Sequence, residues 1–204
     1  MTELAVLQGV RLKGRVSRAD LAATLGADLG DISPIVGRLA AAGLLAEGTT
    51  LQITRSGRDR LAALLAEERE GIDAGAMAAA YGDFRAVNAD FKRLVTDWQL
   101  KGGPDGVPNA HDDTEYDAAV LARLDDVHTR VMPIVDAAAA QLARLNTYAK
   151  KLAAALGKVK ARDTAWLTRP LIDSYHTVWF ELHEELIVAV GLTREEAARS
   201  GDAQ

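Results

Sequence analysis

The side chains best suited to chemistry gather in the segment DSYHTVWFELHEEL, residues 173–186. His176 and His183 are seven residues apart, so a helix places them on one face, beside Tyr175, Trp179 and Phe180. Aromatic residues make up only 5% of the chain, yet Trp166 also falls close by, so this stretch is unusually rich in them. Trp, Tyr, Phe and His are the residues that line a concave site for a small molecule. They suggest an effector pocket formed by Trp98, His128, Trp166, Tyr175, His176, Trp179, Phe180 and His183. The same residues also suit the wide part of a helical core or a dimer seam. Asp125/His128 and Asp173/His176 each have a D-x-x-H spacing that can ligate a metal between helices. Such short spacings are common, and no metal is expected. No cofactor is expected either. There is no phosphate loop, no G-x-S-x-G elbow and no complete H-E-x-x-H, since His183-Glu184 lacks the second histidine. No catalytic residue is assigned and the chain is not expected to be an enzyme.

A second group is cationic and lies early in the chain. Arg11, Lys13, Arg15 and Arg18 surround one turn, and Arg55, Arg58 and Arg60 surround another. Ser33 and Arg38 are the hydrogen-bond donors on the outward side of the segment between those turns. Cations and hydroxyls so placed can hold phosphates. Solvated surface charge is the ordinary alternative.

The elements that would position these groups follow from periodicity. Residues 2–13 have helical spacing. Ser17 caps a second helix that ends at Gly26. Residues 31–43 form a third, with Pro34 in its first turn and a buried stripe of Ile32, Val36, Leu39 and Ala40. That leaves Ser33, Pro34, Ile35, Gly37, Arg38 and Ala41 facing out. Leu44–Ala46 and Leu51–Ile53 read as two strands around a Glu47-Gly48-Thr49 turn, and Thr54 caps a fourth helix running towards residue 70. Gly71 marks a break. Beyond it, a helix to about residue 100 carries Ala80, Phe84, Val87, Phe91, Leu94, Val95 and Trp98 on one face. KGGPDGVPNAHDD is a loop, and Thr114 starts a helix that Pro133 kinks or restarts before it continues to about residue 161. Asp163 caps a turn. Pro170 opens a helix with a seam of Ile172, Tyr175, Trp179, Leu182 and Leu186. Thr193 and Glu196 form a capping box, and the tail from Ser200 is expected to fray.

The front segments resemble bacterial winged helix-turn-helix regulators of the MarR and PadR kind. The resemblance rests on RLAAAGLL (38–45), AEGTTLQIT (46–54) and ITRSGRDRL (53–61), the last similar to the family pattern LTPxGRxxL. It covers about the first third of the chain. It implies a mainly α fold, with an N-terminal winged helix of three helices and a two-stranded β-hairpin wing over residues 1–70. An antiparallel helical bundle over residues 71–204 follows. It further implies a DNA-binding transcriptional regulator and a homodimer. Double-stranded DNA would be contacted by Arg15, Arg18, Ser33, Arg38, Arg55 and Arg58, with a small-molecule effector acting on the second domain. VTDWQL (95–100) and DSYHTVWFELHEELI (173–187) are similar to helical segments attached to some bacterial pyruvate-phosphate-dikinase or phosphoenolpyruvate-utilising proteins. That likeness carries none of those enzymes' catalytic motifs. It implies an accessory module whose front domain docks protein rather than DNA.

Composition bounds these readings. The chain has 204 residues, 49% hydrophobic and 26% charged, enough to bury a core. It has no cysteine, which excludes disulfides and thiolate metal sites and favours a cytoplasmic location. The opening MTELAVLQGVRLKGR lacks the features of a secretory leader, and no apolar run is long enough to span a membrane. Net charge is −5, without the strong positive balance typical of nucleic-acid binders. The acidic excess lies entirely beyond residue 70, leaving the front segment neutral.

Overall fold

The computed structural model describes residues 1–199, so the tail expected to fray lies outside the described residues. The protein is mainly helical and divides into two compact units, Met1–Ile72 and Asp73–Gln204. Every Trp, Tyr, Phe and His belongs to the second unit.

The first unit runs α1 (Glu3–Lys13), α2 (Arg18–Leu25), α3 (Leu29–Ala41), β1 (Leu45–Glu47), β2 (Leu51–Ile53) and α4 (Arg55–Glu70). Its helix starts obey capping chemistry: the side chains of Thr2, Ser17 and Thr54 each accept from a backbone N–H in the first turn. Gly26 ends α2 in the left-handed conformation. The strands are antiparallel, with Leu45 opposite Ile53 and Glu47 opposite Leu51. Val16 forms an isolated antiparallel bridge to Leu51, which joins the segment before α2 to β2. The core is aliphatic: Val6, Leu7, Val10, Leu21, Ile32, Val36, Leu51 and Leu61 are almost fully buried.

Two expectations for α3 change. It begins two residues earlier, at Leu29, so Pro34 stands in the second turn rather than the first. The ring deprives only the Gly30 carbonyl of its helical partner. Ile35, expected to face outward, is buried at 8% exposure. The apolar stripe of α3 is one residue wider than the i, i+4, i+7 set suggests, as helices with a broad buried face require.

The second unit holds α5 (Ala74–Gln99), a two-rung hairpin of β3 (Leu100–Lys101) and β4 (Val107–Pro108), and α6 (Thr114–Gln141). A 3₁₀ turn at Ala143–Leu145 is followed by α7 (Asn146–Lys160), α8 (Ala165–Thr168), α9 (Tyr175–Ala189) and α10 (Arg194–Arg199). α5 and α6 run in opposite directions. The Asp73 N–H donates to Gln141, Asp90 pairs with Arg130, and Asp97 pairs with Arg123. The segment expected to be a plain loop contains the β3–β4 hairpin, closed by Leu100 opposite Pro108. Its Gly102 and Gly103 adopt positive φ and make the turn possible.

Helix α6 neither stops nor restarts at Pro133; it is continuous over 28 residues. The break falls instead at Leu142–Leu145, where the ladder tightens to 3₁₀. The helix expected from Pro170 starts at Tyr175, capped by Ser174. Leu171, fully exposed and at φ 68°, belongs to the turn before it, and Ile172 therefore drops out of the helical seam. Asp163 does not cap α8 with its side chain; its carbonyl accepts from the Trp166 N–H. The Thr193–Glu196 capping box is present, with Glu196 accepting from the Thr193 N–H at 2.7 Å and its own N–H donating to Thr193 Oγ1.

Candidate functional site

In the first unit, Gly14 closes α1 at φ 71° and turns the chain sharply. Arg11 and Arg15, either side of this turn in the chain, both line a concavity of about 300 Å³, whose lining also includes Gln52 of β2 and Arg58 of α4. With its amide oxygen turned towards Arg15, Gln52 accepts from that guanidinium at 2.6–2.9 Å. Three guanidinium groups thus share one recess whose other hydrogen-bonding partner is neutral. Such an arrangement suits an oxyanion, because guanidinium donors match phosphate and carboxylate geometry.

The other cations of this unit differ in availability. Arg38, Arg55 and Arg58 are exposed and form no ion pair or side-chain hydrogen bond among the described residues. Arg18 is engaged: its guanidinium pairs with Glu47 of β1 at 2.5 Å and reaches the Ser33 carbonyl. The Ser33 hydroxyl donates to the Leu29 carbonyl at 2.7 Å, back-bonding along its own helix. Arg60 is held by Glu3 of α1, a contact that raises its pKa. Sequence alone does not separate available from engaged arginines, because Glu47 lies 29 residues from Arg18 and Glu3 lies 57 from Arg60. Gln52 carries no sequence signal; only strand pairing brings it beside Arg15.

In the second unit, the aromatic segment splits between core and surface. Trp179 is fully buried between Phe84 and Phe91, at ring distances of 5.0 and 4.3 Å, and its indole N–H donates to buried Asn88 at 2.8 Å. Tyr175 is also buried and contacts Phe91 and His128. His183 is buried at 2% exposure beside Tyr81 and Phe84. His176, half-buried, approaches Phe91. These residues pack against one another around Phe84 and Phe91. Trp98 is elsewhere, its ring tilted against His111 at 4.3 Å between centroids, and the His111 Nδ1 meets Asp117 at 2.9 Å. Trp166 lies under Lys158, and Phe180 under Arg194. The structure thus brings His128, Tyr175, His176, Trp179 and His183 around Phe84 and Phe91, and sets Trp98, Trp166 and Phe180 against other partners.

The titratable groups of this region respond to burial. Desolvation lowers the pKa of His128, with Lys160 acting in the same direction and Asp125 opposing. Desolvation likewise pushes up the Tyr175 and Tyr148 hydroxyls. Asp173 pairs with Lys151 at 3.0 Å. Among the described residues, no three His, Asp or Glu side chains converge as a metal site. On α9, Glu185 meets Arg144 at 2.5 Å, and the Tyr148 hydroxyl donates to it at 3.4 Å. No helix among the described residues is long and apolar enough to cross a membrane.

Comparison with family models, curated proteins and solved structures finds no match to this chain.

Proposed function

We propose that the first unit is a winged helix-turn-helix that binds double-stranded DNA, with α3 as the reading helix and the β1–β2 hairpin as the wing. The observation that carries this reading is the uncovered side of α3. A Cβ added at Gly30 or Gly37 would meet nothing within 4 Å, and Arg38 projects from the same helix without a partner among the described residues. Unpaired Arg55 and Arg58, with the arginine recess at α1 and β2, supply cations for phosphate. Arg15, Arg38, Arg55 and Arg58 are the proposed contacts. Arg18 and Ser33 support the shape of the unit instead. In the same reading, the second unit forms a homodimer that sets two α3 helices about 34 Å apart, one helical turn of DNA.

The test is fluorescence anisotropy of the full chain against duplex from upstream of its own gene, with random duplex as control, across a salt series. Binding should weaken steeply with salt. Each phosphate-binding cation removed should reduce the log–log slope by about 0.9. Arg38→Ala with Arg55→Ala should weaken binding and flatten the slope. An unchanged affinity and slope in that double variant would refute the docking. One observation favours a second reading, in which the same helix face docks protein. Pro34 and Ala41, seven residues apart on one side of α3, are both exposed, and apolar side chains there are of little use against phosphate. That reading prevails if no duplex is bound at low salt.

A further inference from the structure

The second unit has a cleft of about 560 Å³ between α6 and the C-terminal end of α7, and none of the aromatic-segment residues lines it. Its apolar wall is made by Ala118, Leu121, Ala122 and Leu124 of α6 with Leu156 and Val159 of α7. The volume lies within the range of small-molecule sites, which are mostly apolar with a few placed polar groups.

The charges at its edge decide the class of ligand. Asp117 and Asp125 line the cleft along with Lys160 and Arg162. Both carboxylates are already engaged. Asp117 accepts from Asn109 at 2.9 Å and meets His111 at 2.9 Å, while Asp125 pairs with Lys160 at 2.7 Å. The Arg162 guanidinium has no hydrogen bond or ion pair among the described residues. Of the four charged groups in the lining, Arg162 alone therefore has its donors open beside the apolar wall.

The backbone at Arg162 adds an independent observation. The Arg162 N–H donates to the Val159 carbonyl and the Asp163 N–H to the Lys158 carbonyl, the two bonds that close a helix in a Schellman motif. The left-handed position of that motif normally takes glycine. Here it is Arg162, at φ 70°. An L side chain is strained there, so local stability does not explain the choice of arginine.

We propose that the α6–α7 cleft binds a small amphipathic carboxylic acid, with its hydrocarbon part against the apolar wall and its carboxylate on Arg162. This site is independent of DNA binding by the first unit, and its test contains no DNA. The probes are octanoate and its uncharged counterpart 1-octanol, titrated into the full chain and followed by amide chemical shifts. Octanoate should perturb Ala118 and Ala122 and bind roughly tenfold tighter than octanol, the gain of one charge-assisted contact. Arg162→Gly should remove that preference while leaving the protein at least as resistant to unfolding, since glycine relieves the strained position. Ala122→Trp, which fills the cleft from an exposed helix position, should weaken both probes. The proposal is overturned by no octanoate binding at millimolar concentration, by shifts confined to other regions, or by an unchanged preference in Arg162→Gly.

Discussion

Gly57 is the residue where helix propensity and packing make opposite predictions. It lies in the first turns of α4, is buried, and has an ordinary helical backbone. Propensity alone favours alanine there by about 1 kcal/mol. The surroundings oppose it. A Cβ at Gly57 would overlap the Leu44 carbonyl oxygen and approach Ile53 Cγ1 to 2.8 Å. That carbonyl cannot move freely, because it accepts from both the N–H and the hydroxyl of Thr54, each at 3.1 Å. Relieving the overlap must disturb those bonds, at about 1 kcal/mol each, or push α4 off the hairpin, and overpacking typically costs about 1–3 kcal/mol. The net expectation for Gly57→Ala is a loss of about 2 kcal/mol from the first unit. Gly37→Ala, on the open side of α3 with nothing within 4 Å of the added carbon, should gain about 1 kcal/mol by propensity alone. Far-UV circular dichroism during urea unfolding measures both variants. If Gly57→Ala proves as stable as the parent, the close approach of α4 to the hairpin is not what fixes glycine in RSGRDRL.

Two further predictions concern the second unit. Arg144→Met should destabilise it by about 3–5 kcal/mol, because Glu185, 4% exposed, is left as a buried charge without its guanidinium; adding Glu185→Leu should recover most of the loss, and urea midpoints of the single and double variants decide it. His128, its pKa lowered mainly by burial, should make the protein less stable as pH falls from about 6.5, the unfolded value, through the folded one, because the unfolded chain takes up the proton first. His128→Gln should flatten that dependence, and an identical profile in the variant would show that another group is responsible.

The parts of the fold legible in sequence are those fixed by short-range chemistry. Ser17, Thr54 and the Thr193–Glu196 box announce helix starts because the cap and its N–H partner lie within three residues of one another. The order of helices and strands in the first unit follows for the same reason. Pro133 misleads because a proline removes one hydrogen bond, and a 28-residue helix packed along α5 retains enough others to continue through it. Pro170 misleads in the opposite sense: it precedes α9 by a full turn of irregular chain, and Ser174 supplies the cap. The sites were less legible. Aromatic density in residues 173–186 reflects core filling around Trp179, whereas the α6–α7 cleft is lined by common residues whose significance depends on which neighbours already hold Asp117 and Asp125. An arginine in a glycine position leaves no trace in composition; only its φ reveals it.

The segregation of every aromatic side chain into the second unit makes the protein a one-sided optical instrument. Tryptophan emission arises from Trp98, Trp166 and Trp179 alone, and the aliphatic first unit contributes no chromophore beyond its peptide bonds. Any change in that emission on adding DNA would therefore report an event in the helical unit rather than at α3. The unlabelled chain carries its own detector of whether an encounter at one unit is felt in the other, and a single tryptophan placed on the exposed face of α3 would supply the missing channel.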